Sequence, residues 1–464
     1  MSQLSVPLPL SFARHLLETL RLGLPVALAR AAVLSMLIVI TILVGHAGSQ
    51  GGGQGSGQGS GMELGALSLA MAPQLVLMLV GIGLSQGVLV LVAQAHGAGE
   101  QGRCGAVLRV GVLQALGFGV VIGLLLQGAG PVFASMGHAP DLAERAGLVA
   151  AILGWGMPGV LVFNACTFFL EGLGRPRAGL VVMIGGNLIS AGLAWLWVGE
   201  HGAPGAALAM TLTRFLMGAT LALYVWRLRD RVELGVRGTL SHTLRHDMPA
   251  LGRRLRRLGY PLALAQGLEA GSFSGLVLMA GYLGPAALGG YQITMNLIAT
   301  VFMIGVGLST ASAVRVGQAV GRHDRVNMAR AGWAAMLLVV VLTGAIGLSF
   351  GSLAEGIAAI YTNDPAVRAV AIPAIGLAGW FVVFDGLQGV CMGALRGCGD
   401  VWIPTALQLV AFWALAIPIG GLLAFRADYG ALGLFAGLTV GVVAATVLLA
   451  ARFALVSRRA IAPA

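Results

Sequence analysis

Two acids in this sequence lie where acids are costly. Glu269 and Asp385 each interrupt an apolar run long enough to cross a bilayer. Helix rise puts Glu269 ~18 Å from the Arg257 end of its run and Asp385 ~16 Å from the Arg396 end, both roughly midway through a ~30 Å hydrocarbon core. A carboxylate at that depth costs ~2.5–3.5 kcal/mol on insertion scales, so its retention points to function. Two carboxylates at one level suit a shared cation site that holds a coupling ion and, at another stage, a cationic substrate. Proton exchange fits, because interacting carboxylates titrate as a pair. Sodium coordination by carboxylate and amide oxygens fits equally well. The competing reading is a buried ion pair, in which Arg30, Arg214 or Arg315 neutralises an acid and only locks helices together.

The runs around these acids are the rule in this chain. It has 464 residues, 58% hydrophobic and 10% charged, with a mean hydropathy of +0.90. A soluble domain carries roughly 25% charged residues. Twelve spans are expected, at about 22–45, 64–94, 104–130, 145–170, 178–199, 204–226, 258–283, 288–314, 330–354, 368–394, 401–424 and 430–455. The short alternating segments of a membrane barrel are not seen. Glycine (72 residues) runs through the spans, where small residues let helices approach closely.

Formal charge is +11, and all 28 basic residues are arginine. Their positions speak against nucleic acid. Arg145, Arg368 and Arg426 fall at or beyond the span ends on one side, Arg30, Arg109 and Arg214 further within the spans, and the other 22 at or beyond the span ends on the side holding both termini. That asymmetry predicts cytoplasmic termini in an inner (plasma) membrane. Residues 7–20 read as a short amphipathic lead-in rather than a cleaved signal. Residues 47–61, nearly all Gly, Ser and Gln, read as a flexible outer linker. Residues 227–257 carry nine arginines and read as a solvated linker against the headgroups. The cysteines Cys104, Cys166, Cys391 and Cys398 have neither disulfide-framework nor zinc spacing. Trp155, Trp195, Trp197, Trp402 and Trp413 read as interface anchors; Trp380 and Phe381, just before Asp385, are candidate cavity walls.

The chain repeats itself. Arg21-Leu-Gly-Leu-Pro-Val-Ala-Leu-Ala-Arg30 matches Arg257-Leu-Gly-Tyr-Pro-Leu-Ala-Leu-Ala-Gln266, and Val92-Ala-Gln-Ala matches Val316-Gly-Gln-Ala. The offset falls from 236 (257 − 21) to 224 (316 − 92), a difference close to the length of the glycine-rich insertion. Val162-Phe-Asn164 likewise matches Val383-Phe-Asp385. Two parallel six-helix repeats place a substrate path between halves. Under this register Glu269 pairs with Val33 and Asp385 with Asn164, so the acids are one-sided.

Three phrases carry a family resemblance: Leu258-Gly-Tyr-Pro with Glu269; Gly305-Val-Gly-Leu-Ser to Val316-Gly-Gln-Ala-Val-Gly; and Phe384-Asp385 to Gly393-Ala-Leu-Arg-Gly397, with Glu171-Gly-Leu-Gly174 as a first-half counterpart. In order, spacing and duplication they resemble the multidrug and toxic compound extrusion (MATE) transporters over about residues 20–455. The resemblance implies an all-α polytopic membrane protein, twelve transmembrane helices in two pseudo-symmetric six-helix lobes around a V-shaped cavity. It implies domains at 21–227 (N-lobe) and 257–456 (C-lobe), with a lead-in at 1–20, a linker at 228–256 and a tail at 457–464. It also implies export of amphipathic organic compounds by alternating access, driven by inward Na+ or H+. Glu269 and Asp385 then fall on the family's C-lobe acids and Gln292 on a cavity-lining amide. Asn296 shares the face of Gln292 one turn on.

The departures from the family pattern are specific. The usual first-helix aspartate is Ile40. In the fifth helix Asn187 is kept, but the polar residue four later is Ala191. The aromatic hydroxyl that joins the C-lobe ion site is Phe381 here. An N-lobe cation site is therefore expected to be lost, leaving coupling to Glu269 and Asp385. Arg30, two turns inside the first helix, is expected to snorkel to the headgroups, or else to face the cavity and favour a zwitterionic or anionic substrate. No cofactor is expected beyond the coupling ion. The expected partners are a small organic substrate, Na+ or H+ and lipid, for a monomer that does not bind nucleic acid. A flippase or dedicated metabolite exporter on the same plan is the alternative. A membrane enzyme would need polar clusters at a membrane face, and the eight histidines are scattered.

Overall fold

The computed structural model describes residues 12–50 and 56–459. Among them, twelve helices are long and apolar enough to cross a membrane: Phe12–His46, Gly61–Gly97, Gln101–Gln127, Pro140–Gly172, Arg177–His201, Ala203–Trp226, Thr243–Tyr282, Pro285–Gly321, Arg325–Tyr361, Pro365–Gly397, Trp402–Phe425 and Gly430–Arg458. They are called the first to the twelfth helix in that order. The described residues contain no strand. Helix satisfies every backbone donor within the segment, which is what a chain in hydrocarbon requires.

The glycine-rich stretch departs from expectation. Helix continues beyond the first span to Gln50 and begins ahead of the second at Ser56; residues 51–55 lie outside the described residues. An apolar span has already borne the cost of nucleation. Each glycine added to its end then costs only ~1 kcal/mol in propensity.

The helices form two compact units. One comprises Ala29–Val92 with Glu100–Gly267; the other comprises Leu268–Ala464 with Ala93–Gly99 and the chain up to Leu28. The first, second and seventh helices each pass from one unit to the other.

In the N-terminal unit, Ile40, Val44, Leu67, Leu153 and Met210 share one apolar cluster. Glu63 fastens it at one end. Its carboxylate is 2.8 Å from Arg145 Nη2 and accepts from Ala203 N at 2.6 Å, where the sixth helix begins. An anion there also meets the helix dipole. Gly202 must be glycine: its φ is +63°, and a Cβ would strike the Glu63 carboxylate. Glu63→Ala is expected to destabilise the protein by about 1–2 kcal/mol, read as a lower melting temperature in detergent. An unchanged melt would contradict the clamp.

The arginine-rich connection is not a free linker. Arg109, counted within a span on sequence, reaches it from the third helix, pairing with Asp247 at 2.9 Å and donating to Thr243 Oγ1 at 2.9 Å and to the Gly235 carbonyl. Arg175 pairs with Asp230 at 2.7 Å, and that carboxylate holds its guanidinium above the ordinary arginine value. Leu228, Leu234 and Val236 are buried. Apolar residues between the arginines tether the connection, a pattern that counting charges overlooks.

In the C-terminal unit the eighth and tenth helices pack closely. A Cβ on Gly393 would run into the Ser309 carbonyl, and the Ser309 hydroxyl donates to Gly389 O at 2.6 Å. Tyr291, Phe381, Phe412 and Phe435 fill an apolar core beside this crossing.

Candidate functional site

Glu269 lies one residue into the C-terminal unit's share of the seventh helix. It is half-buried and accepts a hydrogen bond from Gln408 Nε2 at 3.1 Å. A π-helical segment, Val410–Ala416, follows Gln408 in the eleventh helix. It widens the turn so that Trp413 donates its indole N–H to Leu268 O at 3.1 Å. Such segments often sit at functional sites. Trp413 is thus tied to the backbone beside Glu269.

Asp385, on the tenth helix, is 3% exposed, and its Oδ1 has no hydrogen-bond partner. It lies within electrostatic reach of Glu269. Neither acid is paired with an arginine among the described residues. Arg315 pairs with Glu18 at 3.0 Å, Arg30 lies 3.8 Å from Glu171, and Arg214 donates to Leu153 O at 3.4 Å. The helix-locking alternative therefore has no counterpart in these contacts.

Two further amides are buried, Gln408 bonded to Glu269 and Gln388 on the helix of Asp385. Gln388, three residues after Asp385, and Gln408 are each 3% exposed, and the Oε1 of each lacks a donor. Sequence reasoning missed both. For Gln388 the i, i+3 spacing from Asp385 was a usable signal; for Gln408 none was. The Tyr291 hydroxyl is also buried without a partner. Its ring packs edge-on to Phe435 at 6.1 Å, and Phe435 lies 5.5 Å from Phe381. Phe381 is fully buried in this aromatic cluster, while Trp380 is 68% exposed.

Gln292 and Asn296 share an exposed face of the eighth helix, with Asn296 Nδ2 donating to Gln292 O at 3.1 Å. No described hydrogen bond joins them to Glu269 or Asp385.

In the N-terminal unit, Ile40 is 1% exposed within apolar packing. Asn187 donates to Ala32 O at 2.5 Å. Arg30 meets the fourth helix. It faces Asn164 Oδ1 at 3.4 Å and lies over the Phe168 ring at 5.5 Å, in addition to its approach to Glu171. Glu171, one residue before the end of the fourth helix, is 3% exposed.

Twelve apolar helices define a multi-pass membrane protein. The MatE family model matches this chain twice, over residues 25–196 and 261–422, and the two starts are 236 residues apart (261 − 25). That is the offset of the first internal repeat. The chain is 35% identical over 426 residues to a probable multidrug resistance protein NorM of Caulobacter vibrioides, covering 87% of this chain and 86% of the relative. It is 31% identical to a protein of the same name from Xanthomonas campestris pv. campestris, covering 97% and 96%. The fold matches the eukaryotic MATE transporter AtDTX14 with a TM-score of 0.84 at 22% identity, over 97% of this chain and 98% of that one. The chain belongs to the MATE family, a family of transporters rather than of enzymes.

Proposed function

We infer that the protein is an antiporter of the inner membrane that exports amphipathic organic compounds against inward Na+ or H+. Glu269 and Asp385 bind the coupling ion. Occupancy neutralises them and shifts the alternating-access equilibrium by the ion's differential affinity for the two states. Relatives named for multidrug resistance support an organic, drug-like cargo. The arginine asymmetry supports cytoplasmic termini.

The observation that carries this reading is the set of buried acceptor oxygens without donors: Asp385 Oδ1, Gln388 Oε1 and Gln408 Oε1. Buried polar atoms are nearly always satisfied, and exceptions mark an ion, a water or a chemical role. Oxygen atoms of carboxylates and amides are what a hard cation or a proton takes. Antiport itself is tested by counterflow. Adding ethidium or norfloxacin to one face of proteoliposomes should drive Na+ or H+ the opposite way, read with a sodium- or pH-sensitive dye inside. Substrate movement without ion movement would refute antiport.

A further inference from the structure

Resting on that transport reading, we propose that a cavity in the N-terminal unit binds amphipathic anions, with Arg214 as the fixed counter-charge. The cavity holds about 380 Å³ and is bordered by the first, second, fourth, fifth and sixth helices. Six methionines line it: Met36, Met71, Met78, Met183, Met210 and Met217. Thioether side chains re-pack around varied apolar shapes. The polar atoms come from Thr41, Ser68, Gln74 and Asn164, and the charges from Arg30 and Arg214; no acid lines it.

The two arginines are not equivalent. Arg30 has Glu171 within 3.8 Å and a cation–π contact with Phe168, so its charge is largely compensated. Arg214 is 6% exposed, lines the cavity and has no carboxylate partner among the described residues. Its described hydrogen bond, to Leu153 O, is 3.4 Å long, beyond the usual 2.7–3.2 Å range. A buried guanidinium without a counter-charge calls for one. A carboxylate on the bound compound supplies it bidentately, while the methionines take the apolar body. The internal repeat sharpens the contrast. Asn164 and Val33 line this cavity at the positions where the second half carries Asp385 and Glu269. The polarity of the two halves is therefore opposite, cation-accepting in one and anion-accepting in the other.

The test is equilibrium binding to purified protein in nanodiscs of neutral lipid, using two xanthene dyes of opposite charge, fluorescein and rhodamine 6G. Wild type should bind fluorescein at least about tenfold more tightly than rhodamine 6G. Arg214→Gln should weaken fluorescein about 10- to 100-fold and leave rhodamine 6G unchanged or tighter. Arg214→Lys should keep the order of preference. Equal or tighter cation binding by wild type, or full fluorescein affinity in folded Arg214→Gln, overturns the proposal. Should Arg214→Gln fail to fold, Met71→Trp, which fills the cavity, must weaken fluorescein; unchanged affinity there overturns it too. Binding needs no ion gradient. Lost anion preference with intact counterflow refutes only this inference, and intact preference without counterflow refutes only antiport.

Discussion

Asp385→Asn is expected to abolish gradient-driven efflux and, at the same time, to make the protein harder to unfold. The carboxylate is 3% exposed, lies within electrostatic reach of Glu269, and leaves Oδ1 without a donor. An unsatisfied buried polar group costs about 1–3 kcal/mol, and more when charged. Asparagine keeps the shape of the side chain, removes a charge that burial without a counter-ion penalises, and offers N–H donors where the carboxylate offers none. Stability should therefore rise by about 1–3 kcal/mol, seen as a higher melting temperature, while transport falls to the level of protein-free vesicles. A residue kept for packing would give the opposite result: activity retained and stability lost. Glu269→Gln should also lose transport with a smaller stability change, because Gln408 already satisfies one of its oxygens.

The second large effect is structural. Arg315, 6% exposed on the eighth helix, holds the start of the first helix. It donates to Thr19 Oγ1 at 2.8 Å, to Glu18 Oε2 at 3.0 Å, to His15 Nδ1 at 2.7 Å and to the His15 carbonyl. A guanidinium only donates, so His15 Nδ1 accepts. The ring proton then sits on Nε2, which donates to Asn327 Oδ1 at 3.0 Å. Arg315→Leu strands four acceptors, of which Glu18, 37% exposed, can turn to water. A loss of about 2–3 kcal/mol is expected, with early proteolytic cleavage before residue 30. Limited proteolysis and melting on the same preparation check it; a wild-type pattern in both would contradict the anchor.

The fold was legible because hydrocarbon leaves the backbone so little choice. Twelve apolar runs and a repeat offset of 236 residues needed no long-range information, and the family model falls on the same offset. Glu269 and Asp385 were legible for a related reason, since a carboxylate in an apolar run is costly wherever it later packs. What the sequence hid was pairing. Arg315 meets Glu18 across 297 residues, and Gln408 meets Glu269 across 139. Neither leaves a periodic trace, because each is set by how helices pack against one another. The partners of Arg30 were hidden for the same reason. Glu171 and Asn164 come to it from the fourth helix. Residues 47–50 and 56–61 were misjudged locally, since composition alone undervalues the helix on which they are built.

The most direct measurement is dye efflux from proteoliposomes under a Na+ gradient and a pH gradient imposed separately, comparing wild type with Glu269→Gln/Asp385→Asn. Wild type should respond to at least one gradient and the double variant to neither, with dye binding to the purified variant intact. Gradient-driven efflux surviving in the double variant would contradict the account.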